Sequence, residues 1–215
     1  MARKILLRRA PKQERGQQRV DRILDAAAEE FARVGYEGAT TNTIARRAKT
    51  SVGSLYQFFP NKEAILYALT ERYQRQMREM HERVFGDGGS RLPLAVFYDR
   101  LVNAIADFHR SKPGFRSLFY GSTTSPHLAA AARQLHQECI ARAEAAIAAR
   151  APGLDPDQLR LYATINVEVV KALMPLSEAG DEAFRLRMLG EIKKLLRLYM
   201  RDVEDKPVGT DAGTE

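Results

Sequence analysis

The sequence predicts an all-α protein with two domains, and three observations support this fold class. Apolar residues recur every three or four positions along most of the 215-residue chain, which is the period of amphipathic helices. No stretch has the alternating pattern of a half-buried strand. Ser, Thr, Asn or Asp precedes most of the apolar periods, at the position where a side chain caps a helix. We expect three helices in an N-terminal domain and about six in a C-terminal domain.

The first domain begins with one long amphipathic helix. Its apolar stripe contains Val20, Ile23, Leu24, Ala27, Phe31 and Val34. We expect Gly35 to end this helix, because glycine adopts the left-handed conformation of a C-cap without steric cost.

Two short helices follow within residues 40–62, which read TTNTIARRAKTSVGSLYQFFPNK. Thr40 or Thr41 can cap the first, Ser51 can cap the second, and Pro60 ends the second. Their outward residues are small, polar or cationic: Asn42, Thr43, Arg46, Arg47, Val52, Gly53, Ser54, Tyr56 and Gln57. Such a face suits a helix that enters a DNA major groove. Helix pairs of this kind also occur as purely structural elements.

The positive charge of the chain is concentrated near its start. Residues 1–60 contain 12 Lys and Arg against 6 Asp and Glu, whereas the remaining residues contain 22 against 21. The excess coincides with the proposed DNA-facing segment, as expected for a module that binds phosphates. A basic tail that only improves solubility is the alternative.

At these residues the chain resembles the helix-turn-helix of the TetR (tetracycline repressor) family of transcriptional regulators. The matching pattern is a hydroxyl pair, Ile-Ala, a turn, and then S-x-G-S-L-Y-x-F-F-x-N-K. It extends upstream into RILDAAAEEFARVGYEGAT and downstream into K-E-A-I-L, so that it spans about Arg15 to Leu69. One departure lies in the turn, which commonly reads A-G-V-S in the family and reads AKTS here. A left-handed Lys49 would be strained by about 1 kcal/mol.

The resemblance implies a DNA-binding domain at residues 15–61, with the motif at about 41–60, preceded by a basic flexible arm at 1–14. The positions that match the family's phosphate contacts are Thr41, Tyr56 and Lys62. The positions that match its groove-facing residues are Asn42, Val52, Gly53, Ser54 and Gln57. Arg46 adds a cation beside them. The implied partner is a palindromic operator in double-stranded DNA.

The resemblance further implies that residues 62–203 bind an effector and dimerise, followed by a disordered tail at 204–215. Aromatic and polar residues that could line a cavity between helices are Met77, Met80, His81, Phe97, Phe108, Phe115, Phe119, Tyr120, Tyr162 and Asn166. Bundles commonly place ligand sites there, although a core position explains most of these residues equally well. No strong charge cluster accompanies them, which predicts an apolar or aromatic small molecule.

The last two long helices carry apolar faces too broad for one helix pair to cover. The residues expected to pair with a second copy are Leu159, Val169, Val170, Leu173, Leu189, Ile192, Leu196 and Tyr199. A homodimer with a four-helix interface is the predicted solution, and it is also the dimer that the resemblance implies.

Other functional classes find less support in the sequence. His136 and Cys139 lie three positions apart, but further metal ligands at suitable spacing are missing, and no nucleotide-binding or nucleophile motif occurs. We therefore expect no enzyme, cofactor or metal. The lone cysteine, the short apolar run near the start and the lack of a membrane-length apolar stretch predict a cytoplasmic protein. A helical DNA-binding or protein-interaction module without an effector is the alternative function.

Overall fold

The computed structural model describes residues 14–86, 88–112, 114–115, 118 and 126–204. Every regular element in this part of the chain is helical, which confirms the all-α class. The α-helices are α1 (Glu14–Gly38), α2 (Thr41–Arg47), α3 (Val52–Phe58), α4 (Lys62–Phe85), α5 (Leu94–Ser111), α6 (Pro126–Ala148), α7 (Pro156–Leu173) and α8 (Glu182–Glu204). Short 3-10 helices cover Gly89–Arg91 and Met174–Glu178. The predicted arm and tail, apart from Glu14 and Glu204, lie outside the described residues, as does most of the short helix predicted after Pro113.

Packing divides the described chain into two units. The first contains the residues up to Met77 together with His109–Ala132, and the second contains Arg78–Phe108 together with the residues from Arg133 onward. The division therefore falls inside α4. The DNA-binding domain at residues 15–61 stays a prediction. The first half of α4 supplies fully buried side chains, such as Ile65 and Leu69, to the first unit.

The core of the first unit contains apolar side chains from α1, α2 and α3 and from the residue after α3. Phe31 of α1, Ile44 of α2, Leu55 of α3 and Phe59 after α3 are all fully buried. Each such side chain contributes roughly 1.5–3 kcal/mol when it leaves water. Gly35 has a positive φ of 71° inside α1, so the predicted break occurs there, although helical residues resume up to Gly38.

Side-chain caps fix where α2, α3 and α4 begin. Thr40 accepts the amide N–H of Thr43 at 3.1 Å, and the Thr43 hydroxyl accepts the amide N–H of Thr40 at 3.1 Å, which makes a reciprocal capping box. Ser51 accepts the amide N–H of Ser54 at 3.1 Å. The side chain of Asn61 accepts the amide three residues later at 2.8 Å. The caps predicted for α2 and α3 are confirmed, and Thr40 rather than Thr41 is the cap of α2.

The turn between α2 and α3 is a Schellman motif with a lysine in the position usually held by glycine. The amide of Lys49 donates to the carbonyl of Arg46 at 3.2 Å, and the amide of Thr50 donates to that of Ala45 at 3.0 Å. Lys49 has a φ of 51°, so it adopts the left-handed conformation that the sequence raised as a source of strain. This side chain is exposed, so packing does not require a lysine there.

A buried carboxylate ties α2 to α1. The Glu30 side chain is only 2% exposed, and its oxygens accept hydrogen bonds from Arg33 at 2.7 Å and from Arg47 at 3.1 Å. Hydrogen bonding from Arg33 is the largest effect on this group and, with Arg47 and Thr43, lowers the pKa of Glu30 from 4.5 to about 2 despite burial. Arg47 also reaches the exposed Glu29 at 3.0 Å. One arginine of α2 is therefore held by two acids of α1.

The second unit is built around α5, α7 and α8. The hydroxyl of Tyr98 donates to the side-chain oxygen of Asn166, whose amide in turn donates to the carbonyl of Tyr162 at 2.8 Å and contacts the sulfur of Met200 at 3.2 Å. This buried polar network joins three helices and leaves both ends of the Asn166 amide satisfied. Among the described helices, none combines the length and the hydropathy needed to cross a membrane.

The left-handed lysine leads to a stability prediction. Replacement of Lys49 by glycine is expected to raise the free energy of unfolding by about 0.5–1 kcal/mol, because relief of the Cβ clash exceeds the added entropy of the unfolded chain. The matched control is Lys49→Ala, which removes the same charge but keeps the Cβ. Urea denaturation of both variants measures the difference, and an equal gain in the two would contradict backbone strain as the cause.

The Glu30 carboxylate leads to a prediction about pH. Its folded-state pKa of about 2 lies below the ordinary 4.5, so its contribution to stability is complete above pH 4.5 and is lost as the pH falls toward 2. Glu30→Gln is expected to lower the free energy of unfolding by roughly 2 kcal/mol at neutral pH. It is also expected to flatten the dependence of that free energy on pH between 4.5 and about 2. Denaturation between pH 2 and 7 measures this. Glu29→Gln is the control, because that acid is 53% exposed and its loss is expected to cost under about 1 kcal/mol.

Candidate nucleic-acid interface

The residues that the sequence predicts to contact DNA share the solvent-facing side of α2 and α3. Asn42, Arg46, Gly53, Tyr56 and Gln57 are exposed, and Thr41, Val52, Ser54 and Lys62 are half-buried. The opposite sides of both helices are buried in the core of the first unit. The two helices thus present a continuous polar surface on a rigid support, which is what a groove-binding element requires.

Two candidate phosphate contacts lie next to each other. The hydroxyls of Thr41 and Tyr56 are 3.1 Å apart and form a hydrogen bond between α2 and α3. Tyr56 is 39% exposed. Either hydroxyl can donate to an external oxygen while accepting from the other. While this hydrogen bond persists, the pair can donate one hydrogen bond to an external oxygen, from either Thr41 or Tyr56.

The start of α3 carries almost no side-chain bulk. A Cβ placed on Gly53 would meet no atom within 4 Å, so nothing in the folded chain requires glycine there. The Ser54 hydroxyl is drawn down to that of Ser51 at 2.9 Å. Glycine in a helix costs up to about 1 kcal/mol relative to alanine. Close approach by something outside the chain would account for a residue that the fold itself does not need.

The two neighbouring arginines of α2 have different surroundings. Arg47 is held by Glu29 and Glu30, so it is a structural residue. Arg46 is exposed on the same side as Asn42. Both arginines are exposed, but two acids of α1 hold Arg47. Arg46, the one of the pair included among the predicted DNA contacts, is therefore the better candidate for an external contact.

Lys62 has a partner within the chain that sequence reasoning missed. Its ammonium donates to the carbonyls of Tyr36 at 2.7 Å and Glu37 at 3.3 Å, and lies 4.3 Å from the centre of the Tyr36 ring. These carbonyls end α1, where a cation is favourable, and this offsets the unfavourable position at the start of α4. An ammonium has three N–H groups, so a phosphate contact by Lys62 stays a prediction that competes with this contact.

Most of the described residues that the sequence predicts to bind an effector are buried, and they fall in both units. Met77 and Phe115 are buried in the first unit, where the Phe115 ring lies 5.5 Å from that of Tyr73. Met80, Phe97 and Phe108 are buried in the second unit. Phe119 and Tyr120 lie outside the described residues. Burial fits core positions and the wall of an enclosed cavity alike, so the role of these residues in an effector site stays a prediction.

Asn166 and Tyr162 also have structural roles. Asn166 belongs to the polar network with Tyr98, and the Tyr162 ring packs 5.5 Å from that of Tyr199. The polar groups of Asn166 are thus already used within the protein. A role of either residue in an effector site stays a prediction.

A cavity of about 340 Å³ lies elsewhere in the second unit. Its walls are formed by His81, Glu82, Phe85 and Gly86 at the end of α4, and by Arg142, Ala145 and Ala146 of α6. Only His81 was predicted from the sequence. Phe85 lies one turn beyond His81 and could have been found from helical periodicity, whereas nothing local distinguishes Arg142 from other surface arginines. The volume falls at the lower end of the range for small-molecule sites.

The imidazole of His81 is neutral at physiological pH. Burial is the largest effect and, together with the positive charge of Arg142, lowers the pKa of His81 to about 4. Its Nδ1 atom is buried without a hydrogen-bond partner. Burial likewise raises the pKa of the Cys139 thiol to about 11, so this thiol is protonated and a poor metal ligand or nucleophile. In the described residues no group of three or more acids, histidines and cysteines could hold a metal ion.

The predicted dimerisation residues divide into covered and open positions. Leu189, Ile192 and Leu196 are buried within their own chain, so their role in an interface stays a prediction that competes with a core role. Leu159, Val169, Val170, Leu173 and Tyr199 are half-buried. Large leucines that remain exposed on or beside the same helices are Leu161, Leu176, Leu186, Leu195 and Leu198, with exposures between 48% and 57%. The apolar surface open to a partner therefore lies beside the predicted stripe.

Two family models match the chain. Residues 23–69 match the model described as bacterial regulatory proteins of the tetR family, and residues 93–200 match the tetracyclin repressor-like C-terminal domain. Among curated relatives, the A-factor receptor protein of Streptomyces griseus is 35% identical over 99 residues, which is 43% of this chain and 35% of the relative. The match thus spans about a third of that protein's length.

Solved structures share the fold. A TetR-family transcriptional regulator from Streptomyces coelicolor is 27% identical, with a TM-score of 0.58 over 86% of this chain and 99% of the other. A SmeT–triclosan complex is 20% identical, with a TM-score of 0.71 over 93% and 99%. The family model for the C-terminal domain alone matches half of the chain. This chain, with the exposed polar face of α2 and α3 as its helix-turn-helix, belongs to the TetR family of transcriptional regulators.

Proposed function

We propose that the protein is a ligand-responsive repressor that binds a palindromic operator as a homodimer and releases it when a small molecule binds. The observation that carries the proposal is the start of α3, where Gly53 occupies open space on an exposed polar face. Family membership supports a transcriptional role. The relatives' names, an A-factor receptor and a complex with triclosan, support a role for small molecules.

The contacts divide by chemistry. Thr41 and Tyr56, which share a hydrogen bond, hold phosphate oxygens and set the register on the duplex. Asn42 and Gln57 face base edges, where a side-chain amide can pair with adenine through two hydrogen bonds. Val52 is suited to a thymine methyl group. Phosphate contacts supply affinity for any sequence, while the base-edge contacts choose the operator.

Dimerisation supplies the specificity that one small DNA-binding unit lacks. Leu195 and Leu198 of α8 are 48% and 53% exposed, although leucine side chains are more often buried. A second copy that pairs α7 and α8 with their equivalents would cover them. The two copies of α3 then have to match half-sites about 34 Å apart.

The effector acts through α4 in this proposal. This helix contains Lys62 at one end and the cavity residues His81 and Phe85 at the other. A helix of this length is roughly 36 Å long, so a small displacement at the cavity moves its start. Such a movement changes the spacing of the two α3 helices and weakens the operator complex. The same coupling free energy requires the operator to weaken effector binding.

Alanine at position 53 tests the DNA-binding role. After selection of a preferred site from random duplexes, Gly53→Ala is expected to weaken binding at least tenfold, because a methyl group blocks close approach to the bases. The same change is expected to raise the free energy of unfolding by up to about 1 kcal/mol, because alanine favours the helix. Fluorescence anisotropy and urea denaturation measure the two effects.

Gly190 provides the matched control for that experiment. It is also an exposed helical glycine, and a Cβ there would likewise meet nothing within 4 Å. Gly190→Ala is expected to stabilise the protein without a change in DNA affinity. Unchanged affinity of Gly53→Ala would contradict the assignment of α3 to the groove. Duplex binding that does not weaken with salt, or no duplex binding at all, would contradict the proposed function.

Charged residues on α8 test the dimer. The double substitution Leu195→Glu and Leu198→Glu is expected to raise the dimer dissociation constant at least a hundredfold, because both side chains lose an apolar partner. Sedimentation equilibrium measures this change, and circular dichroism checks that the helices persist. Leu186→Glu is the control, since this leucine is 57% exposed but lies roughly 180° around the helix from Leu195. An undisturbed dimer in the double variant would place the interface elsewhere.

A further inference from the structure

The cavity in the second unit has an apolar body and one half-buried cation. Phe85, Ala145 and Ala146 supply most of the carbon surface, and the Phe85 ring lies 5.6 Å from His81 and 5.4 Å from Phe97. These ring contacts fix one wall. A volume of about 340 Å³ corresponds to roughly eleven water molecules at ~30 Å³ each. The cavity therefore has room for a ligand of about ten non-hydrogen atoms.

The cation is Arg142, whose charge is only partly balanced by its neighbours. Glu138 is the nearest acid, but Arg78 already holds both of its oxygens at 3.0 and 3.2 Å, and Gln134 donates to one of them at 3.2 Å. Arg142 approaches the same carboxylate only to 3.7 Å and its backbone carbonyl to 3.4 Å. Two guanidinium groups thus share one carboxylate. The Arg142 side chain is 26% exposed, so water compensates its charge only in part.

The remaining titratable residues of the cavity do not cancel this charge. His81 is neutral because its pKa is about 4. Glu82 also lines the cavity, but it is exposed, so solvent screens its negative charge more strongly than it screens the charge of Arg142. Among the seven lining residues, Arg142 is the cation that a ligand would meet at neutral pH. One excess positive charge favours a monoanion over a dianion such as a phosphate monoester.

We propose that this cavity binds a small carboxylic acid with an apolar chain or ring, and that Arg142 pairs with its carboxylate. This inference rests on the proposed function, because it names the chemical class of the effector. A guanidinium fork matches a carboxylate through two parallel hydrogen bonds, and a partly desolvated site strengthens them. The sequence predicted an apolar or aromatic effector, and Arg142 adds an acidic group to that description.

A matched series of compounds tests the inference by calorimetry on the full chain. Octanoate and 3-phenylpropanoate each have a size that suits the cavity, and each is compared with its amide and with the corresponding amine. At least one acid is expected to bind at least tenfold more tightly than its amide. Arg142→Gln is expected to remove that preference and to leave the affinity for the amide unchanged.

Glu138→Gln gives a second measurement that does not depend on the loss of Arg142. Removal of the competing carboxylate is expected to strengthen acid binding at least threefold, while the amide stays unchanged. Tighter binding of the amines would identify Glu82 as the recognition group and would overturn the inference. Acids that bind no better than amides, or acid binding that is unaffected by Arg142→Gln, would also overturn it.

Operator binding is measured separately, so the two proposals can fail independently. Specific duplex binding without any acid preference would leave the proposed function intact and reject the effector class. Acid binding that depends on Arg142, in a chain that binds no duplex, would support the site and reject the regulator.

Discussion

The geometry of the DNA-facing surface depends on one buried carboxylate. Glu30 is 2% exposed, and an ionised group so far from water persists only when opposite charges and hydrogen bonds compensate it. Arg33 lies on the same helix and cannot orient α2. Arg47 lies on α2, so the requirement to satisfy Glu30 fixes that helix against α1. Loss of either partner would leave a buried charge uncompensated, which costs far more than an exposed ion pair contributes.

Once α2 is fixed, α3 follows through contacts that are local in sequence. The Schellman turn sets the direction of the chain, Ser51 caps the new helix, and Thr41 holds Tyr56 from the other side. Two residues along this path reduce stability: Lys49 is left-handed, and Gly53 has no packing partner. The first is tolerated because the turn has hydrogen bonds on both sides of it. The second is a glycine that the fold does not require, and it lies on the exposed polar face of α3.

Local chemistry made much of this predictable from sequence. The caps at Thr40 and Ser51 accept amides three residues later, so they could be predicted from the chain, and the apolar period predicted the long first helix. The burial of Glu30 was not predictable, because a glutamate on an amphipathic helix is ordinarily solvated. Its partner Arg47 is 17 residues away, and only tertiary packing brings the two together.

The effector site and the dimer surface were harder to predict for the same reason. Aromatic content indicates core and cavity alike, and Phe97, Phe108 and Phe115, which are buried, remain compatible with both. On α8 the apolar residues extend around more of the helix than one neighbour covers. Which part stays open depends on where α5 and α7 pack, so Ile192 is buried while Leu195 is not.

Two clusters of charged residues in this chain have the same composition but differ in burial and in ion-pair distance. Glu30 with Arg33 and Arg47, and Glu138 with Arg78 and Arg142, each combine one carboxylate with two guanidinium groups. In the first cluster both arginines approach within about 3 Å of a carboxylate that is almost wholly buried. Its charges therefore pair with one another and connect α1 to α2. In the second the carboxylate is 24% exposed, and one arginine stops at 3.7 Å beside a cavity. A cluster closed by burial stabilises the fold, whereas one left open keeps a cation available for a ligand.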